Sequence, residues 1–229
     1  VREVNIKNDS ELWDEVWKRV RSDFHEDKII LYHEISSLRW RKIEKRILKN
    51  YRSFKVLDVI EIRVGRGENA LLMGLKGANI TILDYSEVAL DKARLLFSHF
   101  NCKARFIKAD VFDLPKYLMN SFDISMSFGL AEHFKHPQRQ QIFNFHFILL
   151  KEKGISFISV PNAFCFPYRI AHLFLKLFNK FPLLEIPFTH AELKKNAYLA
   201  GYKSCEIVSS CFINAFDEFL IKKYIVFLC

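Results

Sequence analysis

Glycine is scarce in this chain, 7 among 229 residues, yet two of the seven stand together at Gly65 and Gly67. Proline numbers 6 and cysteine 5. The cysteines (Cys102, Cys165, Cys205, Cys211 and Cys229) are odd in number and lack any CxxC spacing. That argues against a disulfide framework and against a zinc site, and it suits a reducing cytoplasm. His25, His33, His99, His136, His146 and His172 show no ligand-like spacing, so no metal is expected. The first thirty residues are too charged for a signal peptide. The longest stretch without a formal charge, Gly154 to Tyr168, contains two prolines and is short for a membrane span. No internal repeat and no low-complexity linker is present. These absences leave a cytoplasmic protein, soluble or peripheral to a membrane.

What is there is a globular composition, 50% hydrophobic and 27% charged, with 23 phenylalanines. The length suits one α/β domain with a modest appendage. A formal net charge of +9 favours anionic partners such as nucleic acid, acidic lipid or a phosphorylated substrate, with a plain Lys-rich surface as the simpler account. Residues 1 to about 53 read as helices. Trp13, Trp17, Val20 and Phe24 recur at helical spacing behind Ser10 as N-cap. A second helical stretch runs from about Ile35 to Lys49. Its tail, Arg39 to Arg52, holds seven basic residues against Glu44 alone. It reads as a solvated face over an apolar stripe of Ile43, Ile47 and Leu48, or as an anion-binding face.

From Phe54 the period changes. Short apolar runs (VLDVIEI, NITIL, ARFIKA, FDISMSF, ISFISV) alternate with helical patterns. That alternation predicts right-handed crossovers and a largely parallel sheet in an α/β fold. Ser86 before Leu90, Ala93, Phe97 and Phe100 marks a helix start directly after Asp84.

The most specific stretch is VIEIRVGRGENA, Val59 to Ala70. A glycine lets the backbone leave a strand sharply and lets a ligand approach where no Cβ intervenes. The following helix presents its unpaired N–H groups to that ligand. Asp84, ending the next strand, stands about one helix and one strand further on, where its carboxylate can accept both hydroxyls of a ribose. GRGENA also fits the GxGxxA form of the dinucleotide fingerprint. However, no substrate domain follows, and the Tyr51 and Lys55 pair precedes the first strand, where a short-chain reductase could not use it.

From Val56 to about Val160 the chain resembles the class I S-adenosylmethionine-dependent methyltransferases, especially the small-molecule branch related to ubiquinone-pathway enzymes. The first motif maps onto Glu61, Arg63, Gly65 and Gly67, and the second is LDYSEVALDKAR, Leu83 to Arg94. KADVFDLP, Lys108 to Pro115, is the third, and FDISMSFGLAEHF, Phe122 to Phe134, the fourth. KEKGISFISVPN and IPFTHAELKKNAYLAGYK match the regions of the fifth and sixth strands. The resemblance implies a Rossmann-like, mostly parallel seven-stranded sheet with helices on both faces. Its last strand would be antiparallel and minimal, supplied by Lys223 to Leu228. It further implies S-adenosylmethionine as cofactor, with Asp110 and the Val111 amide at adenine and Tyr85 and Phe128 among the contacts. The domain expectation is a helical cap over 1–53 and a methyltransferase domain over 54–229, with a substrate-cover insertion at 163–190.

Arg63 stands where the family has its first glycine. The side chain either impairs cofactor binding, or swings out, or pairs with the methionine carboxylate. A fourth reading shifts the register so that Asp58, rather than Glu61, is the motif carboxylate; Glu61 needs no gap. Methyl transfer from a sulfonium is a direct displacement, and a general base is needed only if the acceptor must lose a proton. His133 is the first candidate base and His190 the second, with loop-bracing and solvation at a helix N-terminus as their structural alternatives. Within Phe164 to Phe188, Arg169, His172, Lys176 and Lys180 recur near helical spacing on an apolar background. Residues 164–181 can therefore lie at a membrane surface and admit a lipid-like acceptor, or pack as a cap. The expected function is methyl transfer to a small, apolar or lipid-like acceptor. The alternatives are a methyltransferase-fold binding protein disabled by Arg63 and an RNA methyltransferase.

Overall fold

The computed structural model describes residues 10–18, 23–165, 169–170, 184–209 and 224–228. Three helices come first: α1 (Ser10–Lys18), α2 (Phe24–Ser36) and α3 (Leu38–Tyr51). Asp23 caps α2 by accepting from the Glu26 amide at 2.9 Å. Ser37 closes α2 and opens α3, its hydroxyl accepting from the Trp40 amide at 3.0 Å. One small polar residue thus serves two helix ends, which lets the chain turn with no linker. Trp40, Ile43 and Ile47 of α3 are buried, while Arg41, Lys45 and Lys49 face solvent. The basic tail is the wet side of an amphipathic helix.

Strands and helices then take turns: β1 (Asp58–Ile62), α4 (Glu68–Leu75), β2 (Asn79–Asp84), α5 (Glu87–His99), β3 (Ala104–Lys108) and β4 (Phe122–Phe128). After them come α6 (Gln138–Leu149), β5 (Leu150–Pro161), α7 (His190–Ala200), β6 (Glu206–Ser209) and β7 (Tyr224–Leu228). The sheet order is β3-β2-β1-β4-β5-β7-β6. β1 pairs in parallel with β2 and β4, β2 with β3, and β4 with β5; β7 runs antiparallel between β5 and β6. This is a Rossmann-like, mostly parallel α/β sheet.

The pleat distributes β1 to both faces, as a strand covered on two sides requires. Val59 joins one core with Ile43, Ile47, Leu71 and Phe97, while Ile60 and Ile62 join the other with Phe143, Phe188 and Leu193. Polar groups enter the second face in a connected chain. The His146 ring on α6 bonds the Ser125 hydroxyl at 3.1 Å and the Ser127 hydroxyl at 2.9 Å. Ser125 bonds Ser156 at 2.6 Å, and Ser156 bonds the Tyr202 hydroxyl at 2.5 Å. At the opposite end of the sheet from the glycine turn, Lys151 holds Asp58 at 2.6 Å and Asp123 at 3.0 Å, locking the starts of β1 and β4.

Buried Arg139 fastens the segment before α7. It pairs with Glu192 and donates to the carbonyls of Ile186 (2.7 Å) and Pro187 (3.0 Å). Most of the 164–181 stretch lies outside the described residues. No helix among the described residues is long and apolar enough to cross a membrane.

Candidate active site

The strand order reverses at β1, which has β2 on one side and β4 on the other. The crevice beyond the carboxyl ends at such a point is where an open α/β sheet takes its ligand. Here it is a cleft of about 530 Å3, open mouth included. Arg63, Asp84, Asp110 and His133 line it, with Trp13, Phe112 and Phe134 among its apolar walls.

The glycine turn follows Arg63 in the chain, but of the expected cofactor contacts Glu61, Gly65 and Gly67 are not among the lining residues. Gly65 and Gly67 have φ of +57° and +87°. A Cβ on Gly67 would stand 3.0 Å from Val64 Cγ2 and 3.4 Å from the Phe97 ring, so conformation and space both demand glycine there. Gly67 is the N-cap of α4 with no capping side chain, and the Glu61 carboxylate reaches into the first turn to accept from the Ala70 amide at 3.1 Å. Burial first, then the charge of Glu68, holds the Glu61 carboxyl well above the usual range. Asp58 lies at the far end of β1 on Lys151. Glu61 is therefore the carboxylate beside the glycine turn.

Arg63 adopts φ +56°, a left-handed conformation that costs a non-glycine residue roughly 1–2 kcal/mol. Its Nη1 donates to the Gly129 carbonyl at 2.8 Å, just past β4, and its guanidinium lies 3.7 Å from the centre of the Trp13 ring. The side chain thus spans from β1 to β4 inside the cleft.

Asp84 is 2% exposed. Its Oδ2 accepts from the Val64 amide at 3.1 Å and its Oδ1 from the Ser86 amide at 2.9 Å. Burial pushes the carboxyl up to about 6, against those amides and the Arg63 charge, which pull it back. A carboxylate has more lone pairs than these donors occupy, so two hydroxyls arriving from the cleft would find acceptors. Asp110 bends its own loop, Oδ1 accepting from the Phe112 amide at 2.9 Å, and Val111 follows it into the cleft wall. Tyr85 also lines the cleft. Asp84, Tyr85, Asp110 and Val111 thus meet in one cleft with Arg63.

His133 ends a short 3-10 turn, Ala131–His133, and is 4% exposed. Its Nδ1 lies 2.7 Å from the Leu184 carbonyl. A carbonyl only accepts, so Nδ1 carries the hydrogen in the neutral ring and Nε2 carries the lone pair. The Trp13 ring meets the imidazole edge to face at 5.2 Å between centroids. Glu132 is fully buried, and its carbonyl accepts from the Ile186 amide at 2.8 Å.

Two further sequence expectations fall outside the cleft lining. The Phe128 ring lies 5.2 Å from the Arg39 guanidinium and belongs to the core on α3's side, not to the cleft lining. His190 is exposed at the first residue of α7, away from the cleft lining. His172, Lys176 and Lys180 lie outside the described residues. Conversely, sequence reasoning placed Trp13 and Trp17 on a helix, α1, but missed that this helix reaches the cleft. Trp13 stands on Arg63, Asp14 bonds the Ser86 hydroxyl, and the Trp17 ring lies beside Gly65. The signal was a tryptophan pair one helical turn apart on a short polar helix. No cluster suited to a metal occurs among the described residues.

Residues 59–154 match the family model described as a methyltransferase domain. The ubiquinone biosynthesis O-methyltransferase of Rickettsia bellii (strain OSU 85-389) is 24% identical over 133 residues, covering 58% of this chain and 53% of that protein. Its counterpart in Rickettsia prowazekii (strain Madrid E) is 25% identical over 134 residues, 58% and 51% respectively. The chain thus spans about half the length of the curated relatives it matches. Among solved structures, magnesium protoporphyrin IX methyltransferase from Synechocystis PCC 6803 with bound SAH superposes with a TM-score of 0.64 at 12% identity, over 95% of this chain and 92% of that one. A structure from work on the conversion of a disulfide bond into a thioacetal group during echinomycin biosynthesis gives 0.67 at 18%, over 95% and 90%. These two share the fold. Residues 59–154 thus match a methyltransferase domain, and the described residues share the fold of methyltransferases solved with SAH and with SAM bound.

Proposed function

We propose that this class I domain transfers a methyl group from S-adenosylmethionine to an oxygen of a small, largely apolar acceptor. The observation that carries the reading is the meeting of Asp84, Asp110 and His133 in one cleft at the switch point of the sheet. Bound there, the cofactor would supply an activated methyl on a good leaving group. Asp84 would accept the ribose hydroxyls, and the Asp110–Val111 turn would hold the base. The helices over 1–53 would cap that end of a domain running over 54–229, with 163–190 as the cover on the acceptor side.

His133 would take the proton from an acceptor hydroxyl as its oxygen attacks. Leu184 holds Nδ1–H, so Nε2 is the basic nitrogen, and Trp13 braces the ring. Transfer to oxygen draws support from the curated relatives, which are named as O-methyltransferases. An apolar acceptor draws it from the aromatic walls, Trp13, Phe112 and Phe134.

The test is transfer of labelled methyl to a panel of hydroxyaromatic compounds of increasing apolar substitution. His133→Asn should lower kcat about 100- to 10,000-fold, the usual worth of a positioned base, while leaving affinity for S-adenosylhomocysteine within a few-fold. An equal loss of cofactor affinity would make His133 a brace. No binding of either form of the cofactor at millimolar concentration would remove the enzyme reading altogether.

A further inference from the structure

Arg63 spans the cleft from the end of β1 to the end of β4, and its place in the chain is costly. The turn itself would run more easily through a glycine, since φ is +56°. Backbone held in a sparse region beside a binding cleft points to a use for the side chain. Three features say which use. The guanidinium lines the same cleft as Asp84 and Asp110, so the 5′ substituent of a nucleoside held there would come within its reach. Trp13 stacks on it at 3.7 Å, holding the planar fork in one orientation. Its Nη1 occupies the Gly129 carbonyl at 2.8 Å, so a cation already sits on the acceptor that an ammonium group would seek.

We propose that Arg63 recognises the carboxylate of the cofactor's amino-acid end and thereby selects nucleosides that carry one. This rests on the reading of the cleft as an S-adenosylmethionine site. A zwitterionic amino acid solves both ends of the contact at once. Its carboxylate takes the guanidinium, in the paired N–H to oxygen geometry that arginine favours, and its ammonium takes the Gly129 carbonyl that Arg63 gives up. No charged group is left buried without a partner. A nucleoside lacking the amino acid offers no such exchange, because Arg63 then stays on Gly129.

The experiment compares two ligands by calorimetry: S-adenosylhomocysteine, and 5′-methylthioadenosine, which has the same adenosine and thioether but no amino acid. Wild type is expected to prefer S-adenosylhomocysteine by at least about 10-fold. Arg63→Ala should weaken S-adenosylhomocysteine about 10- to 100-fold, the range of a charged hydrogen bond, and leave methylthioadenosine within about threefold. Arg63→Lys should recover part of the loss. Trp13→Ala should reduce the preference without abolishing it, since it frees the fork rather than removing it. Arg63→Gly relieves the backbone, so a folded variant is assured of a reading; it should behave as Arg63→Ala. If Arg63→Ala and Arg63→Gly bind S-adenosylhomocysteine as well as wild type or better, Arg63 is a plug and the proposal is overturned. Wild type that binds both ligands equally also overturns it while leaving the cofactor site intact. Wild type that binds neither removes the cofactor site and the proposal together.

Discussion

At neutral pH the Asp84 carboxyl must be ionised to accept two hydroxyls, yet burial raises it from 3.8 to about 6. The folded protein without ligand thus begins to protonate Asp84 at a pH where the free side chain is still charged. Affinity for S-adenosylhomocysteine should therefore rise as pH increases through about 6 and flatten above it, when measured by calorimetry from pH 5 to 8. Asp84→Asn should weaken binding about 10- to 100-fold, as losing charged hydrogen bonds does, and flatten that pH profile. A profile unchanged in the variant would place the titrating group elsewhere. The position of Asp84 was legible in the sequence, because one helix and one strand bring a strand-end carboxylate back beside the glycine turn. Arg63 was legible as a departure, but its direction was not. Which way a side chain leaves a turn depends on what covers it, and Trp13 comes from fifty residues upstream in a helix that local pattern cannot place.

Strands and helices read well from period because each buries its apolar positions where the pleat or the helical turn dictates. β1, β2 and α5 fall where VLDVIEI, NITIL and the Ser86-capped stripe predict. The polar chain through Ser127, His146, Ser125, Ser156 and Tyr202 was invisible, since isolated serines in apolar runs have no period of their own. It ties α6 to β4 and β5, and burial lowers His146 from 6.5 to about 3. The sign follows from linkage. The folded ring stays neutral down to about pH 3, whereas the unfolded chain takes up its proton below about 6.5. Stability attached to His146 is thus complete above pH 6.5 and is lost as pH falls from there toward 3. Urea unfolding of His146→Gln should show a variant about 1–2 kcal/mol less stable at pH 7.5, for its poorer hydrogen bonds. The deficit should shrink steadily toward pH 4, because glutamine has no proton to take up. A constant deficit across that range would exclude His146 from the acid sensitivity of the fold.

For the molecule as a whole, the matched stretch 59–154 holds the strands from β1 to β4 and most of the cleft lining, while α1 arrives from outside it to close one wall. α1 is nine residues long, too short to hold a helix by propensity alone. Its order depends on what it touches: Arg63 and His133 through Trp13, the Ser86 hydroxyl through Asp14, and Gly65 beside Trp17. The cation–π contact contributes about 0.5–2 kcal/mol, so α1 opens far more cheaply than the sheet. A ligand filling the cleft adds contact area to Trp13 and gives Arg63 a carboxylate to hold, and both changes favour the closed helix. Hydrogen exchange should therefore show the amides of 10–18 gaining protection on saturation with S-adenosylhomocysteine, by about 10-fold or more. Those of β1, β4 and β5, limited by global unfolding, should change only by the common factor that ligand binding adds to overall stability. In Trp13→Ala the extra protection of α1 should vanish while the common factor remains. Protection confined to the sheet in wild type would make α1 a bystander.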